Sequence, residues 1–211
     1  MIKILIADDH AIVREGLKQI VAEDESMHVL GEAGSAAELF NLIDKEEWSI
    51  IILDINMPGK NGLEILKEIH TQRPAIPVLV LSMYSEEHYG LRAIKSGAAG
   101  YLQKISAPSE LVKAILKVVN GGKYISPELA EKIANSFDLN HKLLPHEYLS
   151  DREFQIMCQI SAGKTADQIS KDLMISIHTV YSYRNRILEK MNMKSNIELT
   201  RYVMQNKLTD N

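Results

Sequence analysis

Four consecutive aliphatic residues, Ile50-Ile51-Ile52-Leu53, run straight into a carboxylate, Asp54. A strand with one wet face alternates apolar and polar side chains. A run without alternation suits a strand buried on both faces, as at the centre of a parallel sheet covered by helices. Similar short apolar runs occupy Ile2–Ala7, Met27–Ala33, Ser49–Leu53, Pro77–Leu81 and Gly100–Leu102. The segments between them carry helical spacing. Val13, Leu17, Ile20 and Val21 share a face, as do Leu39, Leu42 and Ile43, then Leu66 and Ile69, then Leu111, Ile115, Val118 and Val119. Strand and helix in alternation predict an α/β fold, a doubly wound parallel five-stranded sheet.

That rhythm stops at Gly121-Gly122. Ser126–Phe137 reads as one short helix, with Ser126 able to cap it and Pro127 suited to its first turn. Asp138–Tyr148 has no periodicity and contains Pro145, as a linker does. From Leu149 onward the chain reads as short helices with clear start signals. Ser150-x-x-Glu153, Thr165-x-x-Gln168 and Ser195-x-x-Glu198 match the capping box, and Ser176 can cap a fourth helix. A length of 211 residues accommodates two domains. The division read from these patterns is 1–122, a linker with a short helix over 123–148, and a small all-α four-helix domain over 149–211.

Composition removes several classes. The single cysteine, Cys158, cannot close an intrachain disulfide, and no Cys/His cluster has zinc-ligand spacing. The first apolar run meets Asp8-Asp9 too early for a signal peptide, and no run has the length of a membrane span. A soluble, cytoplasmic protein without membrane partners is expected. Charge divides unevenly: residues 1–148 hold 15 Lys and Arg against 21 Asp and Glu, whereas residues 176–207 hold 6 against 2. An acidic front and a locally basic tail fit a regulator whose tail meets phosphate, although charge alone does not decide it.

The polar residues that close the apolar runs carry the chemistry. Asp8 and Asp9 follow the first run, Asp54 the third, Ser82 the fourth and Lys104 the fifth. In an open parallel sheet these ends gather on one edge, where ligands bind. Three carboxylates packed together repel, and a hard cation such as Mg²⁺ relieves that repulsion while accepting their oxygens. A carboxylate can attack phosphorus to form an acyl phosphate. Lys104 would then balance the phosphoryl charge and Ser82 could donate a hydrogen bond to it. His10 beside the acidic pair reads as a helix-start residue, because magnesium prefers oxygen. His28, His70, His88, His141 and His146 carry no assigned role.

Residues 1–122 resemble the receiver domain of two-component response regulators. The resemblance rests on Ala7-Asp8-Asp9-His10, Leu53-Asp54-Ile55-Asn56-Met57-Pro58-Gly59-Lys60-Asn61-Gly62, Leu81-Ser82 and Gly100-Tyr101-Leu102-Gln103-Lys104. It implies a flavodoxin-like fold with Asp54 as phospho-acceptor from a histidine kinase. It also implies Asp8, Asp9 and Asp54 as Mg²⁺ ligands together with the backbone carbonyl of Asn56. Ser82 and Tyr101 would form the switch pair and Lys104 the phosphate-binding lysine. Ile105 departs from the proline common after that lysine.

In the tail, Thr165–Leu173, Met174-Ile175 and Ser176–Met191 read as helix, tight turn, helix. Val180, Ile187 and Met191 share the inner face of the second helix, with Tyr183 and Arg184 flanking it. Residues 149–208 resemble the LuxR-type DNA-binding domain of the NarL/FixJ class, on Leu149-Ser150-Asp151-Arg152-Glu153, Ala162-Gly163-Lys164-Thr165, Gln168-Ile169-Ser170, Ile175-Ser176-Ile177-His178-Thr179-Val180, Ile187-Leu188-Glu189-Lys190-Met191 and Glu198-Leu199. The resemblance implies double-stranded DNA as partner. One reading helix covers few base pairs and the positive charge of 176–207 is modest, so two copies on the site are expected, as a homodimer when phosphorylated. The expected DNA contacts are His178, Thr179, Tyr181, Ser182, Arg184, Asn185, Arg186 and Lys190. Tyr181 and Tyr183 depart from the lysine and histidine common in the family. Magnesium-dependent phosphohydrolases of the haloacid dehalogenase type place a second aspartate two residues after the nucleophile. Here that residue is Asn56, so phosphoryl acceptance without enzymatic turnover is expected. A receiver controlling a protein partner instead of DNA is the other alternative, separable by the salt dependence of duplex binding.

Overall fold

The structure is a computed structural model that describes residues 1–136 and 144–209. The chain divides into two compact units, Met1–Ile133 and Ala134–Asn211. The first alternates β1 (Ile2–Ala7), α1 (Ala11–Val21), β2 (Met27–Ala33), α2 (Ala36–Ile43), β3 (Ile50–Asp54), α3 (Gly62–Gln72), β4 (Val78–Ser82), α4 (Glu86–Lys95), β5 (Gly100–Gln103) and α5 (Ala107–Val119). The strands form one five-stranded sheet in the order β2-β1-β3-β4-β5, and every neighbouring pair is parallel. Every residue of β3 is buried, in keeping with its unbroken aliphatic run.

Alternation along the strands divides the core between two faces. Ile4, Ile6, Ile50, Ile52, Leu79 and Leu81 pack with Leu17 and Val21 of α1 and Leu111, Ile115 and Val118 of α5. The residues between them, Leu5, Ile51, Leu53, Val78 and Val80, are buried toward the opposite face. The chain order reverses at β1, whose neighbours are β2 and β3, so the switch point of the sheet lies between the C-terminal ends of β1 and β3. Asp8 follows one of these ends and Asp54 terminates the other.

Sequence patterning misses α4 as a helix. It buries Tyr89, Gly90 and Ala93, two of them small, so its apolar stripe is faint. A β-carbon at Gly90 would lie 2.7 Å from Leu129 Cδ2. Leu129 belongs to α6 (Pro127–Asn135), which ends two residues before the expected Phe137, a residue outside those described. Ahead of α6, Tyr124 forms a parallel bridge with Gly100; its N–H donates to Ala99 at 3.1 Å and its carbonyl accepts from Tyr101 at 2.9 Å. The first part of the expected linker is thereby packed on the sheet unit. Residues 138–143 of that linker also lie outside the described residues. Beyond them Pro145–Tyr148 form a 3-10 turn.

The second unit holds α7 (Asp151–Ser161), α8 (Ala166–Leu173), α9 (Ile177–Lys190) and α10 (Asn196–Gln205). Ser150 and Thr165 form reciprocal capping boxes with Glu153 and Gln168. Each box satisfies orphan N–H groups and contributes about 1 kcal/mol. At α10 the expected box forms by half. Ser195 accepts from the Glu198 N–H, but the Glu198 carboxylate accepts from the Lys194 N–H instead of that of Ser195. Buried Phe154, Ile169, Leu173, Val180, Ile187, Leu199 and Val203 fill the interior. The buried Arg152 guanidinium donates to the Leu173 carbonyl at 3.1 Å and to Gln155 at 2.9 Å, closing the C-terminal end of α8.

Candidate functional site

Parallel register sets the polar residues side by side at one sheet edge. Ala7 pairs with Leu53, Asp54 with Leu81, and Ser82 with Gln103. Asp8, Asp54, Ser82 and Lys104 therefore emerge at nearly the same level. Donor atoms of Asp8, Asp9, His10 and Asp54 lie within 4.8 Å of one another, a group able to hold a metal ion. Three of the four offer hard carboxylate oxygens, the donor type that suits a divalent cation of the Mg²⁺ kind.

The buried charges are shared unequally. Lys104 Nζ lies 2.8 Å from Asp54 Oδ2 and 2.6 Å from Asp8 Oδ2, so one ammonium serves two buried carboxylates. Burial pushes the Asp54 carboxyl above its ordinary range, with Lys104 opposing and the charge of Asp8 adding. Burial alone would pull the Lys104 ammonium down, but Asp54 and then Asp8 outweigh it and hold it above its usual value. Burial is the larger cause at Asp54, and one cation facing two anions adds to it: the lysine is well compensated, and Asp54 is not. The cluster is short of positive charge.

Neighbouring residues fix the geometry around the carboxylates. The Asn56 N–H donates to Asp54 Oδ1 at 3.2 Å, and the Gly62 N–H to the Ile55 carbonyl at 2.9 Å. A β-carbon at Gly62 would stand 2.5 Å from the Asp54 carbonyl oxygen, so only glycine lets α3 start against this loop. The Arg14 guanidinium donates to the Asp8 carbonyl at 2.7 Å. His10 is the N-terminal cap of α1, yet its Nδ1 also lies 2.7 Å from Asp9 Oδ1. Its helix-start role and its place in the acidic group coexist, and the run Asp8-Asp9-His10 was the available sign.

Ser82 and Tyr101 are tied to one loop residue. They meet on Tyr84: its N–H donates to Ser82 Oγ at 3.1 Å, and its carbonyl accepts from the Tyr101 hydroxyl at 2.8 Å. Tyr101 already lies inside, 2 % exposed, and Tyr84 stacks on Tyr89 with ring centroids 4.5 Å apart. Nothing in the sequence singles out Tyr84, whose part comes from its backbone.

In the second unit α9 exposes His178, Tyr181, Asn185 and Arg186, while Val180, Ile187 and Leu188 face inward. The other expected contacts have partners within the unit. Thr179 Oγ1 lies 2.8 Å from Ser176 Oγ in the cap, and the Ser182 hydroxyl donates to the His178 carbonyl at 3.0 Å. Arg184 Nε donates to Asn196 at 2.7 Å, and Lys190 Nζ to Glu153 at 2.7 Å. The Glu153 carboxyl stays below its ordinary value: burial raises it, but Lys190 and the Ser150 amide overcome that. Among the described residues no helix is long and apolar enough to cross a membrane.

Comparison with known proteins agrees on both units. Residues 4–116 match the response regulator receiver domain, and residues 147–203 match the luxR family of bacterial regulatory proteins. The chain is 35% identical to the response regulator GacA of Pseudomonas aeruginosa, covering 100% of this chain and 99% of that one. It is 34% identical to the response regulator UvrY of Escherichia coli strain K12, covering 99% and 96%. Among solved structures, RcsB from Salmonella enterica serovar Typhimurium, bound to promoter rprA in the presence of phosphomimetic BeF3−, aligns with TM-score 0.67 at 25% identity. That alignment covers 96% of this chain and 98% of RcsB.

Proposed function

The chain belongs to the two-component response regulators, in the NarL/FixJ class that joins a receiver to a LuxR-type DNA-binding domain, and from that premise we propose that Asp54 phosphorylation controls its binding to double-stranded DNA. The functional division proposed is a receiver over 1–122, a linker with its short helix over 123–148 and the DNA-binding domain over 149–211. The observation that carries the reading is the sharing of the Lys104 ammonium between Asp8 and Asp54. A cluster short of positive charge accepts a divalent cation, and a lysine already within reach of Asp54 can follow a phosphoryl group placed there.

An Asp54 oxygen attacks the phosphorus of a phosphohistidine on a histidine kinase. The new O–P bond forms as the N–P bond breaks, and the imidazole leaves. Mg²⁺, when bound, supplies the positive charge that offsets the crowded oxygens. Asp8, Asp9, Asp54 and the Asn56 backbone carbonyl are the residues that would hold it. Lys104 turns toward the phosphoryl oxygens, and Ser82 gives up the Tyr84 N–H to donate to one of them. Because Tyr84 also holds the Tyr101 hydroxyl, the loop and the ring respond together. Asn56 offers no general acid for turnover, so Asp54 accepts the group and the protein is not a classical catalyst. The protein works in the cytoplasm.

One recognition helix reads few base pairs, and the exposed charge of α9 is modest. We therefore assign DNA occupancy to a homodimer favoured by phosphorylation, with α9 in the major groove. The test is duplex binding by the full chain, with and without a small phosphodonor and Mg²⁺, at several salt concentrations. Tighter binding after phosphorylation, weakening steeply with salt, is expected. Affinity that ignores both the donor and salt would overturn the reading.

A further inference from the structure

We infer that Tyr181, backed by Ile177, makes α9 a reader of thymine through the C5-methyl group. The inference rests on the proposed placement of α9 in the major groove. Most hydroxyls and cations that would ordinarily read bases on this helix are engaged within the unit, and the exposed Arg186 guanidinium lies over the Tyr183 ring, 5.9 Å from its centroid. Thr179 pairs with Ser176, Ser182 with its own helix backbone, Arg184 with Asn196 and Lys190 with Glu153. Beside His178, what the N-terminal half of α9 presents is largely apolar. Tyr181 is 53% exposed and Ile177 42%, and they stand one helical turn apart. Met174, in the turn just before, is 72% exposed. This half of a recognition helix is the part that reaches base edges.

Exposed apolar side chains on a groove-reading surface match one feature of DNA. Within the major groove only thymine offers a methyl group; the other base edges present hydrogen-bond donors and acceptors. A tyrosine ring packed on that methyl removes apolar surface from water, and the adjacent isoleucine extends the contact. Asn185 lies one further turn along; its Oδ1 accepts from Arg184 at 3.2 Å, a contact it would exchange to bond the adenine N6 and N7 of a neighbouring pair. The structure thus assigns Tyr181 to base choice and not to phosphate attraction.

The test starts from a random-sequence duplex library enriched by the phosphodonor-treated full chain. Thymines of the enriched site are then replaced one at a time by deoxyuridine, which lacks only the methyl group. Replacement at one position per half-site is expected to weaken binding about threefold to tenfold. Tyr181→Phe should keep this discrimination, because the ring is retained. Tyr181→Ser should bind thymine and uracil sites alike while melting as the natural chain does. Deoxyuridine tolerated at every position by the natural chain, or discrimination that survives in Tyr181→Ser, would overturn the assignment. Discrimination lost in Tyr181→Phe would place the contact on the hydroxyl and likewise overturn it. Failure to enrich any duplex would overturn the DNA-reading function together with it.

Discussion

The Lys104 ammonium reaches across the C-terminal edge of the sheet to Asp54, with Nζ 2.8 Å from Oδ2, and the same nitrogen holds Asp8. Both carboxylates are essentially buried, so the lysine is the charge that lets them stand side by side. Lys104→Ala should destabilise the receiver by about 2–4 kcal/mol at neutral pH, as expected when one partner of a buried ion pair is removed. The raised Asp54 carboxyl and raised Lys104 ammonium set the window. The Asp54 pairing contributes once the pH exceeds the raised Asp54 value, which lies above the ordinary 3.8, and up to beyond the lysine's ordinary 10.5. As pH falls through the raised Asp54 value, the carboxyl protonates and the share of the penalty that comes from the Asp54 pairing should fade, while the share from Asp8 remains. Urea unfolding across pH checks this. A penalty independent of pH would contradict it.

Gly62 fills the space where α3 begins against the Asp54 loop. Gly62→Ala puts a β-carbon 2.5 Å from the Asp54 carbonyl oxygen and 2.5 Å from Ile55 Cα, both backbone atoms unable to swing away. A cost of about 1–3 kcal/mol is expected from overpacking, with slower phosphoryl uptake because the loop carrying Asn56 must shift. Unfolding midpoints and labelling rates measure the two effects separately. A variant as stable and as rapidly labelled as the natural chain would remove Gly62 from the site's support.

Ser82 and Tyr101 act on the two backbone groups of Tyr84. Ser82→Ala should still accept phosphate yet lose most of the phosphorylation-dependent gain in DNA binding. Tyr101→Phe removes one hydrogen bond, about 1 kcal/mol, and should blunt the same gain. Uptake of phosphate and the full gain in binding, both preserved in either variant, would exclude Tyr84 as the relay.

Lys190 separates a pattern from a structure. Helical spacing places it on the outer face of α9, yet its ammonium is held by Glu153. Lys190→Ala should leave the salt slope of duplex binding unchanged, whereas loss of a phosphate contact would lower it by about one. Glu153→Gln should cost about 1–2 kcal/mol through the weakened capping box. The Glu153 carboxyl is lowered from 4.5, so its contribution is present above that value and disappears as pH falls through the lowered one. A Glu153→Gln penalty unchanged in acid would contradict the pairing.

The receiver is legible in the sequence because its chemistry stands at the ends of apolar runs. Asp8, Asp54, Ser82 and Lys104 need only a parallel sheet to meet, and an unbroken Ile50–Leu53 run already implies one. Strand limits move by a residue because Asp54 and Ser82 still pair in the sheet. What stays hidden is tertiary. α4 buries small residues, Tyr84 contributes only its backbone, and the Glu198 carboxylate finds the Lys194 N–H instead of its expected partner. On α9 the period of 3.6 identifies an outer face but not which of its residues are held by neighbours.

Mapping the acyl phosphate tests the central proposal most directly. The full chain is incubated with a small phosphodonor and Mg²⁺, the mixed anhydride is trapped reductively, and the modified peptide is sequenced. Label is expected at Asp54 alone, absent without Mg²⁺, lost in Asp54→Ala and abolished in Asp9→Ala, where the nucleophile remains but a metal ligand is gone. Label that persists at normal levels in Asp54→Ala, or that forms equally well without a divalent cation, would contradict the assignment of this edge of the sheet as the phosphoryl site.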